Sequence, residues 1–352
     1  MKDKQGASKF EFPRLDFKFE FSSLRLEKRG EDTVKMSFDR AAQALIGAFT
    51  LIAAVVFAFG ASAQQPEPWQ IGFQNAVTPI MEDIVWLNWF TLVIITVITL
   101  FVMALLAIIF VKFRAKANPV ASKTTHNTAI EIVWTVAPII ILLIIVAPSI
   151  RLLYAQQVIP EADVTIKITG YQWNWGYEYP DYDIGEYVSS MLPVGEDGYD
   201  LSAHKDMALE RGDGIENYPR LLAVDAELVV PLGKVVRLDV TSGDVLHSFA
   251  MPSFGIKIDA VPGRLNSGWF KAEKEGLYYG QCSQICGAGE GYAGHSFMPI
   301  AIRVVDEDTF EDWAASASED LAIGWEILAS ADKGSSSKDA IKIAKTQELS
   351  AE

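Results

Sequence analysis

Cysteine and histidine are scarce in this chain, two and four respectively among 352 residues. Two thiols exclude a disulfide framework and a four-thiolate zinc site, and without a C-x-x-C-H motif there is no covalently attached c-type haem. Charge is also sparse. Only 21% of the residues are Asp, Glu, Lys or Arg while 50% are hydrophobic. That balance excludes a disordered chain and directs attention first to membrane segments. Cations number 30 against 45 anions, a net charge of −15, which disfavours nucleic acid as a partner and suits a basic one. No internal repeat is present. Whatever chemistry the chain performs must rest on a few specific residues.

Long apolar runs are what the chain has instead. The first, residues 41–60, follows Arg40 and ends in Ala61-Ser62-Ala63, which reads as a secretory signal cleaved after Ala63. A start at Met36 would give it an ordinary charged leader, and the competing reading is a third, retained membrane helix. The second run, Trp86 to Val111, is uninterrupted by charge. The third runs from Ile130 to Tyr154. Each is long enough to cross ~30 Å of hydrocarbon at ~1.5 Å per residue. Between them lie Lys112, Arg114, Lys116 and Lys123 and no acid, which puts this loop in the cytoplasm and everything after residue 155 outside. Glu131 is an acid near the cytoplasmic end of the third run. It is either a carboxylate favoured by the positive helix start or a proton-handling group facing a partner subunit. Pro138 and Pro148 lie in the same run, where neighbouring helices can satisfy the backbone groups they free.

From Ala162 onward the pattern alternates. Residues 164–169, 227–231, 234–240, 276–280 and 298–305 read as short strands between Gly and Pro turns, which predicts an all-β sandwich or barrel. Residues 184–219, rich in Gly, Asp and Glu, read as a long surface excursion. The predicted organisation is an extension with signal peptide (1–63), an exported segment (64–85), a transmembrane helical hairpin (86–155), an exported β domain (156–317) and a polar tail (318–352).

The two cysteines, Cys282 and Cys286, stand in Gly280-Gln-Cys-Ser-Gln-Ile-Cys-Gly287, followed by His295 and Met298 and preceded by His247. Two thiolates, two imidazoles and a thioether form a soft donor set that selects copper over magnesium or calcium. Three other readings stand beside it: a small disulfide in an oxidising compartment, a structural zinc site that would leave Met298 idle, and a plain core role for His247. His126 and His204 sit in polar sequence and receive no role. The aromatic run Tyr171-Gln-Trp-Asn-Trp-Gly-Tyr-Glu-Tyr-Pro180 reads as a strand feeding rings into the core. Trp173 and Trp175 are expected on one face, and nearby Glu178, Asp181 and Asp183 suit docking of a cationic redox partner.

Together these motifs resemble subunit II of the haem-copper cytochrome c oxidases in its bacterial inner-membrane form. The resemblance runs from about Trp86 to Val305 and includes Asp244-Val-Leu-His-Ser-Phe and Asp259-Ala-Val-Pro-Gly-Arg-Leu-Asn. It implies a two-helix anchor followed by a cupredoxin-like Greek-key β-barrel holding the binuclear copper centre Cu-A. Cys282 and Cys286 would bridge two coppers; His247 and Met298 would complete one, and His295 with the Gln284 carbonyl the other. Trp173 matches the tryptophan through which electrons enter from cytochrome c. Glu178, Asp181, Asp244 and Asp259 fall at or near acidic docking positions, and Glu131 matches a glutamate at the mouth of a proton pathway. The resemblance implies partnership with subunit I, which would carry the haem and the oxygen chemistry, and with subunit III, in the bacterial inner membrane.

Two departures from the family pattern stand out. The second histidine usually follows the second cysteine by about four residues, whereas here Ala288-Gly-Glu-Gly-Tyr-Ala-Gly294 intervenes before His295. Its small residues are expected to loop out and leave the ligands in place. Gln284 stands where many members have a glutamate that helps bind magnesium, and an amide would bind it more weakly. A quinol oxidase subunit would lack the copper ligands, and nitrous oxide reductase needs a propeller this chain has no room for. The alternative from another class is a membrane-anchored copper-binding or delivery module, which would need exposed, exchangeable ligands.

Overall fold

A computed structural model describes residues 65–331 apart from residue 121. The expected signal segment and residues 332–352 lie outside the described residues. Helix α1 spans Pro79–Lys112 and helix α2 spans Thr128–Gln157. α1 starts well before Trp86. The Thr78 hydroxyl accepts from the Met81 amide at 3.1 Å, Pro79 occupies the first turn, and Glu82 suits the positive helix start. Glu82, an acid that interrupts the apolar pattern, therefore helps to begin the helix. Asn127 caps α2 by accepting from the Ile130 amide at 3.2 Å. The most apolar stretch of each helix has none of its residues buried in this chain, so lipid or other subunits must cover them.

The β domain comprises β1 (Val164–Tyr171), β2 (Asn174–Tyr179), β3 (Ile184–Ser189), β4 (Leu228–Pro231), β5 (Val235–Ser242), β6 (His247–Met251), β7 (Ile256–Ala260), β8 (Asn266–Lys271), β9 (Gly276–Gln281) and β10 (Pro299–Val305). One sheet has the order β3-β2-β1-β5-β8, a second β4-β10-β9, and β6-β7 form a separate hairpin. β1 runs parallel to β5 and β10 parallel to β4; the remaining pairs are antiparallel. Val236, Leu238 and Val240 of β5 point inward and meet Leu228, Val230, Ile300 and Ile302 from the second sheet in one core. This is a cupredoxin-like β-sandwich behind a two-helix membrane hairpin.

Three stretches differ from the sequence expectation. The aromatic run is a turn followed by β2, so Trp173 lies outside the strand while Trp175, Tyr177 and Tyr179 are fully buried. The excursion contains helix α3 (Ser202–Arg211). Beyond β10, helices α4 (Glu307–Glu319) and α5 (Leu321–Ala331) pack on the domain through Phe310, Trp313 and Leu328, so order continues past the expected boundary at residue 318.

Hairpin and domain are stitched together. The Thr78 hydroxyl donates to the Phe254 carbonyl at 2.8 Å, and the Val77 amide donates to the Ser253 carbonyl at 3.0 Å. At the end of α2, the Trp269 indole donates to the Ala155 carbonyl at 3.2 Å.

Candidate metal centre

His247 opens β6 with its imidazole fully buried against Gly170 of β1, where an added Cβ would lie 2.9 Å from the ring. Its Nε2 is 2.9 Å from Asp244 Oδ1, and Asp244 is itself fixed by the amides of Gln172 (2.7 Å) and Val245 (2.6 Å). Such a carboxylate sets the tautomer and turns the other ring nitrogen, Nδ1, toward the site. That Nδ1 stands 3.9 Å from Cys282 Sγ.

Cys282 follows β9. Its amide donates to the Met298 carbonyl at 3.0 Å, and the next amide, of Ser283, donates to the Ser248 carbonyl at 3.0 Å. The thiol loop is thus bound on one side to Met298, just ahead of β10, and on the other to β6. Cys282 Sγ lies 3.3 Å from the Gln284 carbonyl oxygen and 3.8 Å from Cys286 Sγ, and both thiols are free. Cys286 Sγ in turn lies 3.7 Å from His295 Nδ1. Met298 is fully buried in the same core cluster as the two cysteines.

Burial pushes the Cys282 thiol up, but hydrogen bonding with His247 and with the backbone of Gln284 and Ser248 outweighs it and leaves this thiol well below its ordinary value. Cys286 is pushed up by burial and by the negative charge on Cys282. Burial alone would lower His247, yet Cys282 and Asp244 hold it above the ordinary imidazole range. The pair therefore releases one proton readily, and a cation between the sulfurs would displace the second. Two sulfurs held apart without a bond, each with an imidazole nitrogen beside it, fit copper and offer little to an oxygen-seeking ion.

The residues between Cys286 and His295 leave and return at one point. Ala288 pairs with Gly294, the Gly289 amide donates to the Ala293 carbonyl at 3.0 Å, and the His295 amide donates to the Gly287 carbonyl at 3.0 Å. Gly294 has φ 135° and sits against the Ala288 backbone, a position closed to a side chain.

The Trp173 indole, half-buried in the turn between β1 and β2, donates to the Cys286 carbonyl at 3.1 Å. Gln172 Nε2 donates to the same oxygen at 3.0 Å. The acids expected to face a partner are partly engaged. Glu178 pairs with Lys167 at 2.6 Å, Asp181 accepts from the Thr165 amide at 2.7 Å, and Asp259 binds Lys257 and the Ser248 hydroxyl at 2.8 Å each. Glu131 sits in the first turn of α2 and accepts from the Asn127 amide at 3.1 Å. Three features were not anticipated from sequence. Asp244 orients His247; Gln172 joins the Cys286 carbonyl; and His204, set aside as polar loop, is fully buried on α3 with Nδ1 3.0 Å from the Tyr218 carbonyl.

Two family models match the chain. The one described as "Cytochrome C oxidase subunit II, periplasmic domain" covers residues 164–305, and the corresponding transmembrane domain covers residues 66–152. A probable cytochrome c oxidase subunit 2 of Rickettsia bellii is 47% identical over 275 residues, 78% of this chain and 94% of that one. Cytochrome c oxidase subunit 2 of Cereibacter sphaeroides is 43% identical over 283 residues, 78% and 91% of the two chains. Among solved structures, the periplasmic domain of subunit II of cytochrome oxidase from Bradyrhizobium japonicum is 46% identical with a TM-score of 0.37, covering 47% of this chain and 99% of that one.

Proposed function

The chain belongs to the cytochrome c oxidase subunit II family, and from that premise we propose that it accepts electrons from cytochrome c and passes them to haem in subunit I. Membership implies a membrane-anchored protein with a periplasmic domain, a Cu-A copper site and assembly with other oxidase subunits. In the proposed assembly subunit I reduces oxygen to water and pumps protons, subunit III is a further neighbour, and the membrane is the bacterial inner membrane.

The observation that supports this best is the row His247 Nδ1, Cys282 Sγ, Cys286 Sγ, His295 Nδ1, in which successive atoms stand 3.9, 3.8 and 3.7 Å apart. These four side chains, with Met298 and the Gln284 carbonyl, would hold the copper. Held there, copper would supply storage of one electron at a time with little change of geometry. The chain's own contribution is rigidity and orientation. Asp244 and Gly170 fix His247, the backbone bonds of Cys282 and Ser283 clamp the thiol loop to two strands, and the core excludes water. Trp173, bonded to the Cys286 carbonyl, is the group through which an electron would enter. Glu131 would take up protons at the mouth of a pathway in the partner subunit. Gln284, as a neutral amide, would contribute weakly to any magnesium at the subunit I boundary. A copper-delivery role is disfavoured because His247, Cys282, Cys286 and Met298 are all buried.

The test is the visible and EPR spectrum of the oxidase assembled with the full chain. A purple centre with hyperfine structure shared between two coppers is expected, and a single-copper pattern would remove His295 from the ligand set. Cys282→Ser is expected to leave an assembled, membrane-bound subunit with cytochrome c oxidation lost. Wild-type turnover in that variant would overturn the copper assignment.

A further inference from the structure

The insert after Cys286 does more than loop out of the way. Its backbone packs closely on Trp173: a Cβ at Gly289 would fall 2.7 Å from the indole six-membered ring. Tyr292 then reaches across to the excursion after β3. Its ring meets Phe297 edge-on at 5.2 Å between centroids, and its hydroxyl rests on Gly198, leaving no space there for a side chain. Between the two segments runs a groove of about 630 Å³ whose lining includes Trp173, Pro193, Val194, Tyr292, Ala293 and Phe297.

The two segments that flank this groove carry charge of one sign. Residues 190–200 contain Glu196, Asp197 and Asp200, residues 287–297 contain Glu290, and neither stretch contains Lys or Arg. All four acids are exposed. Arg220 reaches in from outside both stretches, donates to the Gly198 carbonyl and lies over the Tyr199 ring at 4.9 Å.

We propose that the insert and the excursion together form a collar that extends the docking surface around Trp173, and that its occupant is a lysine-rich electron-carrier protein placing an apolar side chain in the groove. The inference rests on the reading of Trp173 as the point of electron uptake. Because Gly289 packs against that ring, a carrier that reaches Trp173 also meets the insert. An apolar floor supplies contact area near the centre of a footprint, and an acidic rim supplies attraction and orientation for a basic partner. The collar thereby selects among carriers by shape at the groove as well as by charge.

The experiment uses the oxidase assembled with the full chain and a lysine-rich c-type cytochrome as probe, with association rate and Kd measured over a range of ionic strength. Tyr292→Ser should raise Kd roughly tenfold at every ionic strength, as loss of a central aromatic contact does. Glu196→Gln with Glu290→Gln should slow association about threefold at low salt, an effect that fades as salt screens the rim. The double variant touches no core residue and should keep the wild-type visible spectrum, so its result stands even if Tyr292→Ser disturbs the turn that carries His295. Wild-type binding in both variants, with electron uptake slowed in Trp173→Phe, would overturn the collar alone. Unchanged electron uptake in Trp173→Phe would overturn the reading beneath it.

Discussion

Asp244 bonds to the imidazole of His247 and to the amides of Gln172 and Val245 at once, so the orientation of one proposed ligand depends on a single carboxylate. Its own pKa is held below the ordinary carboxylate value. Burial works against ionisation, but His247 and the two amides favour the charged form. Asp244→Asn keeps the size and loses the charge. Copper retention should fall roughly 10- to 100-fold, the usual consequence of removing the partner of a metal-bound histidine. Competition with a soluble copper chelator measures this, and unchanged retention would mean that the fold alone aims the ring. The candidate ligands stood out in the sequence because cysteine and histidine are rare, and the structure brings His247, Cys282, Cys286 and His295 into one row. The role of Asp244 did not stand out. An acid three residues before a histidine reads equally well as surface charge, and only the turn into β6 directs it inward.

At the scale of elements, Arg303 ties the excursion to the sandwich. It stands in β10 with five buried neighbours, Pro299 to Ile302 and Val304, and is itself buried. Its guanidinium bonds to Glu227 at 2.6 and 3.1 Å and to Asp213 at 2.5 Å. Tyr218 joins from the same excursion, donating to Asp213 at 2.9 Å. Arg303→Met would remove the buried cation that Glu227 and Asp213 both bind, at a cost of about 3–5 kcal/mol. The segment around α3 should then lose hydrogen-exchange protection, while Arg303→Met with Glu227→Leu should recover part of it. Equal protection in wild type and single variant would show that the excursion is held by its apolar contacts instead. This explains why residues 184–219 read as a surface loop. Their Gly, Asp and Glu content is that of a loop, and the arginine that makes burial of the acids possible lies 90 residues further along the chain from Asp213. Helix α4 was missed as well, although Phe310, Trp313, Ala314 and Ala317 follow helical spacing and Asp306 caps it through the Thr309 amide at 3.0 Å.

For the whole molecule, what matters is that the β domain stays in fixed register with the membrane hairpin. The close point is Gly255, between β6 and β7. Its φ of 71° is one that glycine adopts freely, and an added Cβ would meet Met81 Cα at 3.2 Å and Ile84 Cδ1 at 2.8 Å in the first turns of α1. Two strands of bonding, Val77 to Ser253 and Thr78 to Phe254, run beside it, and Trp269 holds the end of the second helix. Gly255→Val would add backbone strain of about 1–3 kcal/mol and push the helix away from the sandwich. His247 lies at the opposite end of β6, so the centre should keep its copper and its spectrum. Reduction of that centre by cytochrome c should continue at close to the wild-type rate, while its reoxidation by the neighbouring subunit slows. Following both rates after rapid photochemical reduction separates the two steps. If reoxidation is unchanged, the register of domain and hairpin is set by contacts with the other subunits; if it alone slows, the junction at Gly255 positions the centre for onward transfer.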